Sequence, residues 1–223
     1  MSNRVRTKVA NELELEKSKL IAALRLQGIT DERVLEVLSW VPREKFVPDD
    51  FIHRAYENSA LAITEGQTIS QPYIVALMTQ ELRLEREHKV LEVGTGSGYQ
   101  TAVLSLLGGT IYTVERFDSL SKQARSILDG MKLSNIHYRI ADGSHGWREE
   151  APFDRIIVTA AAPRVPPDLF DQLAEGGILV IPVGDQDTQA LYAYEKSHDK
   201  VNSQFLCSCR FVPLVSEPTQ AAS

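Results

Sequence analysis

The stretch VLEVGTGSGYQ, residues 90–100, decides the fold. Its apolar first half is typical of a buried strand, and its last residues open the apolar helical run YQTAVLSLL. Between the two lie Gly94, Gly96 and Gly98, which let the backbone turn sharply and let a ligand approach without a Cβ in the way. The stretch therefore predicts a strand, a ligand-binding turn and a helix.

The same alternation of strands and helices continues on both sides of this turn. The predicted strands are KVLEV, TIYTVE, IHYRI, FDRIIVTA and GGILVIPVG, and the helices between them cover 72–84, 99–107, 118–131 and a segment ending at Leu173. Apolar strands separated by helices predict an α/β fold with a doubly wound, mostly parallel sheet, the Rossmann-like architecture that binds ligands at the carboxyl ends of its strands. The last two strands, ALYAYEK and QFLCSCRFV, are close enough in sequence to be antiparallel.

The first 40 residues have helical spacing, with Gly28 ending one helix and Thr30 capping the next. The segment 41–63 contains prolines and is expected to be mostly loop. We therefore divide the chain into an N-terminal helical extension with a substrate-side loop (1–60), a ligand-binding domain (61–215) and a disordered tail (216–223).

Composition excludes several classes of protein. A net charge of −6 and a pI near 5.4 argue against nucleic acid as a partner. No apolar run approaches the ~20 residues that span a bilayer, and the N-terminus lacks the apolar core of a signal peptide. We expect a cytoplasmic monomer with no membrane partner. The two cysteines, Cys207 and Cys209, are expected to pack without forming a disulfide or a metal site.

The residues around the glycine turn restrict the ligand. Tyr99 occupies the position where a dinucleotide fingerprint needs a third glycine, and no Lys-Ser or Lys-Thr pair marks a phosphate loop. Glu115 ends the next strand, where a carboxylate can accept both hydroxyls of a ribose. Glu92, two residues before Gly94, is predicted to supply a negative charge that repels a diphosphate and suits a sulfonium.

Asp142 and Gly143 follow the third strand, where the carboxylate could accept from the exocyclic amine of adenine. Three acidic groups at successive strand ends match S-adenosylmethionine, which carries adenosine, an amine and a sulfonium. Two simpler interpretations stay open: Glu92 and Glu115 could be solvated strand ends, and the Asp-Gly pair could be a turn.

The loop GQTISQP, residues 66–72, contains a serine next to a predicted helix start. Gln71 precedes proline and is biased to extended geometry, while Pro72 suits the first helical position. Ser70 or Gln71 is thus a natural cap, and Ser70 could also present its hydroxyl to an anion at the helix start.

With these motifs, and with AYENSALAI, DGSHGW, APFDRIIVTAAAP and FVPL, the chain resembles the protein-L-isoaspartate O-methyltransferases. The resemblance implies transfer of a methyl group from S-adenosylmethionine to the α-carboxylate of L-isoaspartyl residues in damaged proteins, whose ester then closes to a succinimide. The family's functional serine falls on Ser70. Its cofactor contacts fall on Gln67, Thr68, Ile69, Ser70, Gly94, Thr95, Gly96, Gly98, Glu115, Asp142 and Gly143.

Two other functions remain open at this stage. One is a different S-adenosylmethionine-dependent O-methyltransferase, which the cofactor motifs support but GQTISQP does not. The other is a cofactor-bound protein without catalysis. Acyl transfer is disfavoured because Ser70 does not lie in a GxSxG elbow, and base methylation because the loop AAAP lacks an NPPY-type clamp.

Overall fold

The computed structural model describes residues 3–185, 187–198 and 200–215, with side chains from residue 9 onward. A short hairpin of β1 (Leu61–Ala62) and β2 (Thr68–Ile69) precedes a seven-stranded sheet. The strands of that sheet are β3 (Lys89–Val93), β4 (Thr110–Glu115), β5 (Ile136–Ile140), β6 (Phe153–Val158), β7 (Leu173–Gly184), β8 (Gln189–Ser197) and β9 (Lys200–Cys209).

The strand order is β5-β4-β3-β6-β7-β8-β9, with parallel pairing from β5 to β7 and antiparallel pairing of β7 with β8 and of β8 with β9. The predicted parallel sheet and antiparallel C-terminal strands are therefore confirmed. The chain winds outward from β3 to β5 and then returns to β6 on the other side of β3. This reversal leaves a crevice at the carboxyl ends of β3 and β6, where such sheets bind ligands.

Within the described residues six α-helices accompany the strands: α1 (Asn3–Leu26), α2 (Glu32–Trp40), α3 (Pro72–Glu81), α4 (Tyr99–Leu107), α5 (Asp118–Gly130) and α6 (Pro167–Asp171). Two predicted ends were wrong. Helix α3 stops before 84 because Arg83 adopts a left-handed backbone with φ of 48°. Helix α6 stops at Asp171 because Leu173 already pairs with Phe153 in the sheet.

Apolar side chains point alternately to the two faces of the sheet, and both faces are buried. Val90 and Ile157 belong to a buried cluster with Leu104 of α4, whereas Leu91 and Ile156 belong to a separate cluster on the opposite side. All five side chains have 0% exposure. Strands buried on both faces explain the nearly continuous apolar runs in the sequence.

The N-terminal helices pack onto the sheet domain instead of standing apart. Leu24 and Leu35 share a buried cluster with Tyr99 and Ala102 of α4, so the predicted segments 1–60 and 61–215 have a common core. Asp31, not Thr30 as predicted, is the N-cap of α2, because its side chain accepts from the Arg33 amide.

The segment 41–63, predicted to be mostly loop, contains two short 3-10 helices, Arg43–Lys45 and Asp49–Arg54, and strand β1. The tail at 216–223, predicted to be disordered, lies outside the described residues.

Cys207 and Cys209 are unbridged and pack against the core of the sheet. In the part of the chain that the structure describes, no helix has the length and apolar character needed to cross a membrane.

Leu104→Ala tests this packing. Leu104 has 0% exposure and Leu106, on the same helix, has 39%. Removing the buried side chain leaves a cavity, so we expect Leu104→Ala to lower the free energy of unfolding by about 2–5 kcal/mol. Leu106→Ala should lower it by less than about 1 kcal/mol. Urea denaturation measures both, and equal losses in the two variants would contradict the assignment.

Candidate active site

The glycine turn after β3 has a backbone that other residues do not fit. Gly94 has φ of 97°, and a Cβ there would lie 2.3 Å from the Thr159 hydroxyl oxygen. That hydroxyl donates to the Gly94 carbonyl over 2.6 Å, which ties the turn to the end of β6. Gly98 has φ of 87° at the start of α4, and a Cβ there would lie 2.9 Å from the Cβ of Ala124. Glycine is therefore required at both positions for close packing.

Glu115 joins this turn to the end of β4. Its Oε2 accepts from the Gly96 amide at 2.8 Å, and its Oε1 accepts from the amides of Arg116 and Phe117 at 2.8 and 3.0 Å. The side chain is 6% exposed. A carboxylate has about four acceptor positions, so Glu115 keeps capacity for a ligand hydroxyl.

A cleft opens beside Glu115 and is walled by the glycine turn, the end of β4 and the C-terminal segment 212–215. A smaller pocket on the side of Ser70 shares Thr68, Gly94, Gly96 and Thr159 with this cleft. The two spaces therefore form one continuous site at the carboxyl ends of β3, β4 and β6.

The structure brings most of the predicted site residues to this place. The larger cleft is lined by Gln67, Thr68, Gly94, Gly96, Glu115 and Gly143, and the smaller pocket by Thr68, Ile69, Ser70, Gly94, Thr95 and Gly96. Three predicted residues, Glu92, Gly98 and Asp142, do not line either space. Gly98 acts instead through the backbone turn described above.

Glu92 lies beneath the turn and has 0% exposure. Its Oε2 accepts from the hydroxyls of Thr101 and Thr113 at 2.5 and 2.7 Å, and its Oε1 has no partner. Burial raises the pKa of Glu92 to about 8, so the carboxyl is neutral at pH 7. The expectation that Glu92 presents a negative charge to a sulfonium is corrected: the residue supports the turn from below.

Asp142 and Gly143 start a short turn after β5. The Asp142 Oδ1 accepts from the amide and the hydroxyl of Ser144 at 2.8 and 2.7 Å. A Cβ at Gly143 would lie 2.4 Å from Val93 Cγ1, so glycine lets this turn approach β3 and border the cleft. Contact between Asp142 and an adenine amine stays a prediction.

Ser70 is not the cap of α3. Gln71 occupies the cap position, and the Tyr73 amide is satisfied by the Asn58 side chain at 3.0 Å. Within the described residues the Ser70 carbonyl accepts from Arg43, while its hydroxyl has no hydrogen-bond partner and the residue lines the smaller pocket. Asn58 therefore satisfies an amide at the start of α3, and the Ser70 hydroxyl is not needed as a cap.

The resemblance of FVPLV to the family's substrate-side segment indicates a role near the site, but sequence reasoning did not place the contacts that this segment makes in the wall. Val212 and Leu214 pair with Ala161, through N···O distances of 2.8 and 2.7 Å, and Arg116 donates to the Val215 carbonyl at 3.0 Å. The motif FVPL is the only local signal for this role, because the pairing joins residues about 50 positions apart.

The sheet order, the glycine turn and the acid after β4 define a Rossmann-like methyltransferase. Residues 15–219 match the family model described as protein-L-isoaspartate(D-aspartate) O-methyltransferase (PCMT). The chain belongs to this protein-L-isoaspartate O-methyltransferase family.

Its relatives cover nearly the whole chain. A protein-L-isoaspartate O-methyltransferase from Parvibaculum lavamentivorans is 53% identical over 92% of this chain and 94% of its own length. One from Cronobacter sakazakii is 54% identical over 88% of this chain and 94% of its own length. A solved Plasmodium falciparum structure assigned to the same family, in complex with S-adenosyl-L-homocysteine, has a TM-score of 0.78 and 27% identity and covers 90% of this chain and 98% of its own.

Glu92→Gln tests the buried acid. A carboxyl whose pKa is raised on folding stabilises the protein at pH values below its pKa in the unfolded chain, which is near 4.5. This stabilisation is lost as the pH rises through the folded-state pKa of about 8. We expect wild type to become less stable relative to Glu92→Gln between pH 5 and pH 8, by ~1.4 kcal/mol per unit of pKa shift.

Urea denaturation across this pH range measures the difference. Glu149→Gln is the control, because an exposed ion pair with Arg139 lowers the pKa of Glu149 and so gives no such fall. A difference between wild type and Glu92→Gln that stays constant from pH 5 to pH 8 would show that Glu92 is ionised in the folded protein.

Proposed function

We propose that this protein transfers a methyl group from S-adenosylmethionine to the α-carboxylate of L-isoaspartyl residues in damaged proteins. One observation carries the proposal. Among the residues that the structure describes, the pocket beside Ser70 is lined by hydroxyl, amide and apolar groups, and Tyr99 is its single titratable side chain. Burial raises the pKa of Tyr99, so that group stays protonated at neutral pH.

A pocket without a base suits an acceptor that arrives already ionised. The α-carboxylate has an unperturbed pKa near 4 and is deprotonated at pH 7, so no proton has to be removed before it attacks. An amine or an alcohol acceptor would need a base within hydrogen-bond reach. The lining residues therefore favour carboxylate methylation over other methyl transfers.

The larger cleft fits the nucleoside part of the donor. Glu115 would hold the ribose hydroxyls, and Gly143 and Phe117 border the space available to a base. At Gly96 a Cβ would meet no atom within 4 Å, so the backbone there faces open space. When bound, S-adenosylmethionine supplies an electrophilic methyl group on a sulfonium.

Ser70 orients the acceptor in this proposal. Its hydroxyl lies at the start of α3, where the helix dipole is positive and favours an anion. Donation to one carboxylate oxygen would fix the other toward the methyl group, and alignment of this kind contributes up to about 7–11 kcal/mol to a reaction barrier. Ser70 forms no covalent bond in this mechanism.

We also propose the partners, the cellular location and the oligomeric state of the enzyme. Its partners are damaged proteins and peptides, and we place the enzyme in the cytoplasm as a monomer that does not act on nucleic acid. The net charge of −6 supports the last point, because a polyanionic partner would be repelled. Size-exclusion chromatography with light scattering tests the monomer.

Paired peptides test the function. The protein is incubated with radiolabelled S-adenosylmethionine and with peptides that differ only in L-isoaspartate or L-aspartate. We expect label on the isoaspartyl peptide alone. Label on both peptides would indicate a different O-methyltransferase, and label on neither despite measurable donor binding would indicate a binding protein.

Ser70→Ala tests the role of the hydroxyl. Because one oriented donor to the reacting group is removed, we expect kcat/KM for the isoaspartyl peptide to fall by about 100-fold, with the affinity for S-adenosylhomocysteine unchanged. Ser59→Ala is the matched control, since the Ser59 hydroxyl donates to Glu57 and does not line the site. Full activity in Ser70→Ala would remove Ser70 from the mechanism.

A further inference from the structure

Arg43 is a buried cation next to the proposed acceptor pocket. It lies in the short 3-10 helix after α2 and has 0% exposure. Moving a charged group out of water is strongly unfavourable unless another charge compensates it. Burial lowers the pKa of Arg43, but a guanidinium stays protonated in proteins. The position of this charge therefore needs an explanation.

Its partners do not neutralise it. The Nε donates to the Ala55 carbonyl and Nη2 donates to the Ser70 carbonyl, each over 2.8 Å. The guanidinium carbon lies 4.7 Å from the ring centroid of Tyr99, and Nη1 has no partner. Across residues 9–185, 187–198 and 200–215 no carboxylate forms an ion pair with Arg43. Two carbonyls and an aromatic face supply only partial negative charge.

Both Ser70 and Tyr99, which contact the guanidinium, line the smaller pocket. The positive charge thus lies directly behind the wall of the pocket that we assign to the acceptor carboxylate. In a medium of low dielectric, such a charge attracts an anion more strongly than it would in water. The free-energy cost of removing water from the guanidinium is incurred when the protein folds. No rearrangement is therefore needed when the anion binds.

We propose that Arg43 is a positioning residue for the acceptor, with two effects. Its hydrogen bond fixes the Ser70 backbone so that the hydroxyl stays in the pocket, and its uncompensated charge selects an anionic group beside Ser70. The inference rests on the proposed function and names what that function needs beyond Ser70, namely a counter-charge for the carboxylate. A neutral side chain could donate hydrogen bonds to the two carbonyls. These hydrogen bonds alone therefore do not explain the positive charge, whereas attraction of an anionic acceptor does.

The test compares an acid with its neutral isostere. The ligands are an L-isoaspartyl peptide and the same peptide with the α-carboxylate replaced by a carboxamide, and binding is measured by calorimetry with S-adenosylhomocysteine present. The proteins are wild type, Arg43→Gln, which keeps a donor without charge, and Arg43→Lys, which keeps the charge. We expect wild type to prefer the acid, Arg43→Gln to lose about tenfold or more of that preference, and Arg43→Lys to lose less than about threefold.

Arg155→Gln is the matched control. Its guanidinium also donates to backbone carbonyls, those of Leu82 and Asp154, but it lies outside the site. Thermal unfolding of all four proteins reports any loss of folding. A purely structural role for Arg43 would lower the affinities for acid and amide equally, and would not be rescued by lysine.

Three results would overturn the inference. Arg43→Gln could retain the preference for the acid, or wild type could bind the two peptides equally. The third result is that Arg43→Gln loses affinity for S-adenosylhomocysteine, whose carboxylate would then be the anion that Arg43 attracts. The wild-type result does not depend on the folding of any variant. Failure of wild type to methylate the isoaspartyl peptide would instead contradict the proposed function, so the two failures are distinguishable.

Discussion

The carboxylate of Glu115 holds the site together, because it accepts three backbone amides from two separate segments of the chain. One segment is the glycine turn after β3 and the other is the start of the loop after β4. Parallel pairing of Val93 with Val114 brings the two strand ends to the same level, so the acid reaches the amide of Gly96 in the turn.

Local pattern was enough to predict the sheet, because its signals lie within single segments. The strands at 89–93 and 110–115, the helix at 99–107 and the glycine turn between them are found where the apolar runs and glycines indicate. The ends of α3 at Glu81 and of α6 at Asp171 were not predictable in this way. They depend on a left-handed residue and on pairing of Leu173 with Phe153, and neither has a local signature.

The site was predictable where motif and topology coincide, and not where distant residues meet. Asn58 reaches α3 from 15 positions away, and Arg43 reaches Ser70 from 27 positions away. No periodicity reports such contacts. Glu92 illustrates the opposite error: sequence adjacency to Gly94 suggested a charge in the pocket, but the side chain is buried with Thr101 and Thr113 beneath the turn. A motif gives the chain position of an acid but not the side of the backbone that it occupies.

In the proposed function, the cleft at the ends of β3 and β4 binds a nucleoside through Glu115. Calorimetry of S-adenosylhomocysteine with wild type and Glu115→Gln tests it most directly, with Glu149→Gln, an exposed acid paired with Arg139, as the control. Hydrogen bonds to a charged acceptor contribute about 1.5–3 kcal/mol, so the affinity should fall by about 10- to 150-fold in Glu115→Gln and stay unchanged in the control. Equal affinity in Glu115→Gln and wild type would show that Glu115 does not hold the nucleoside.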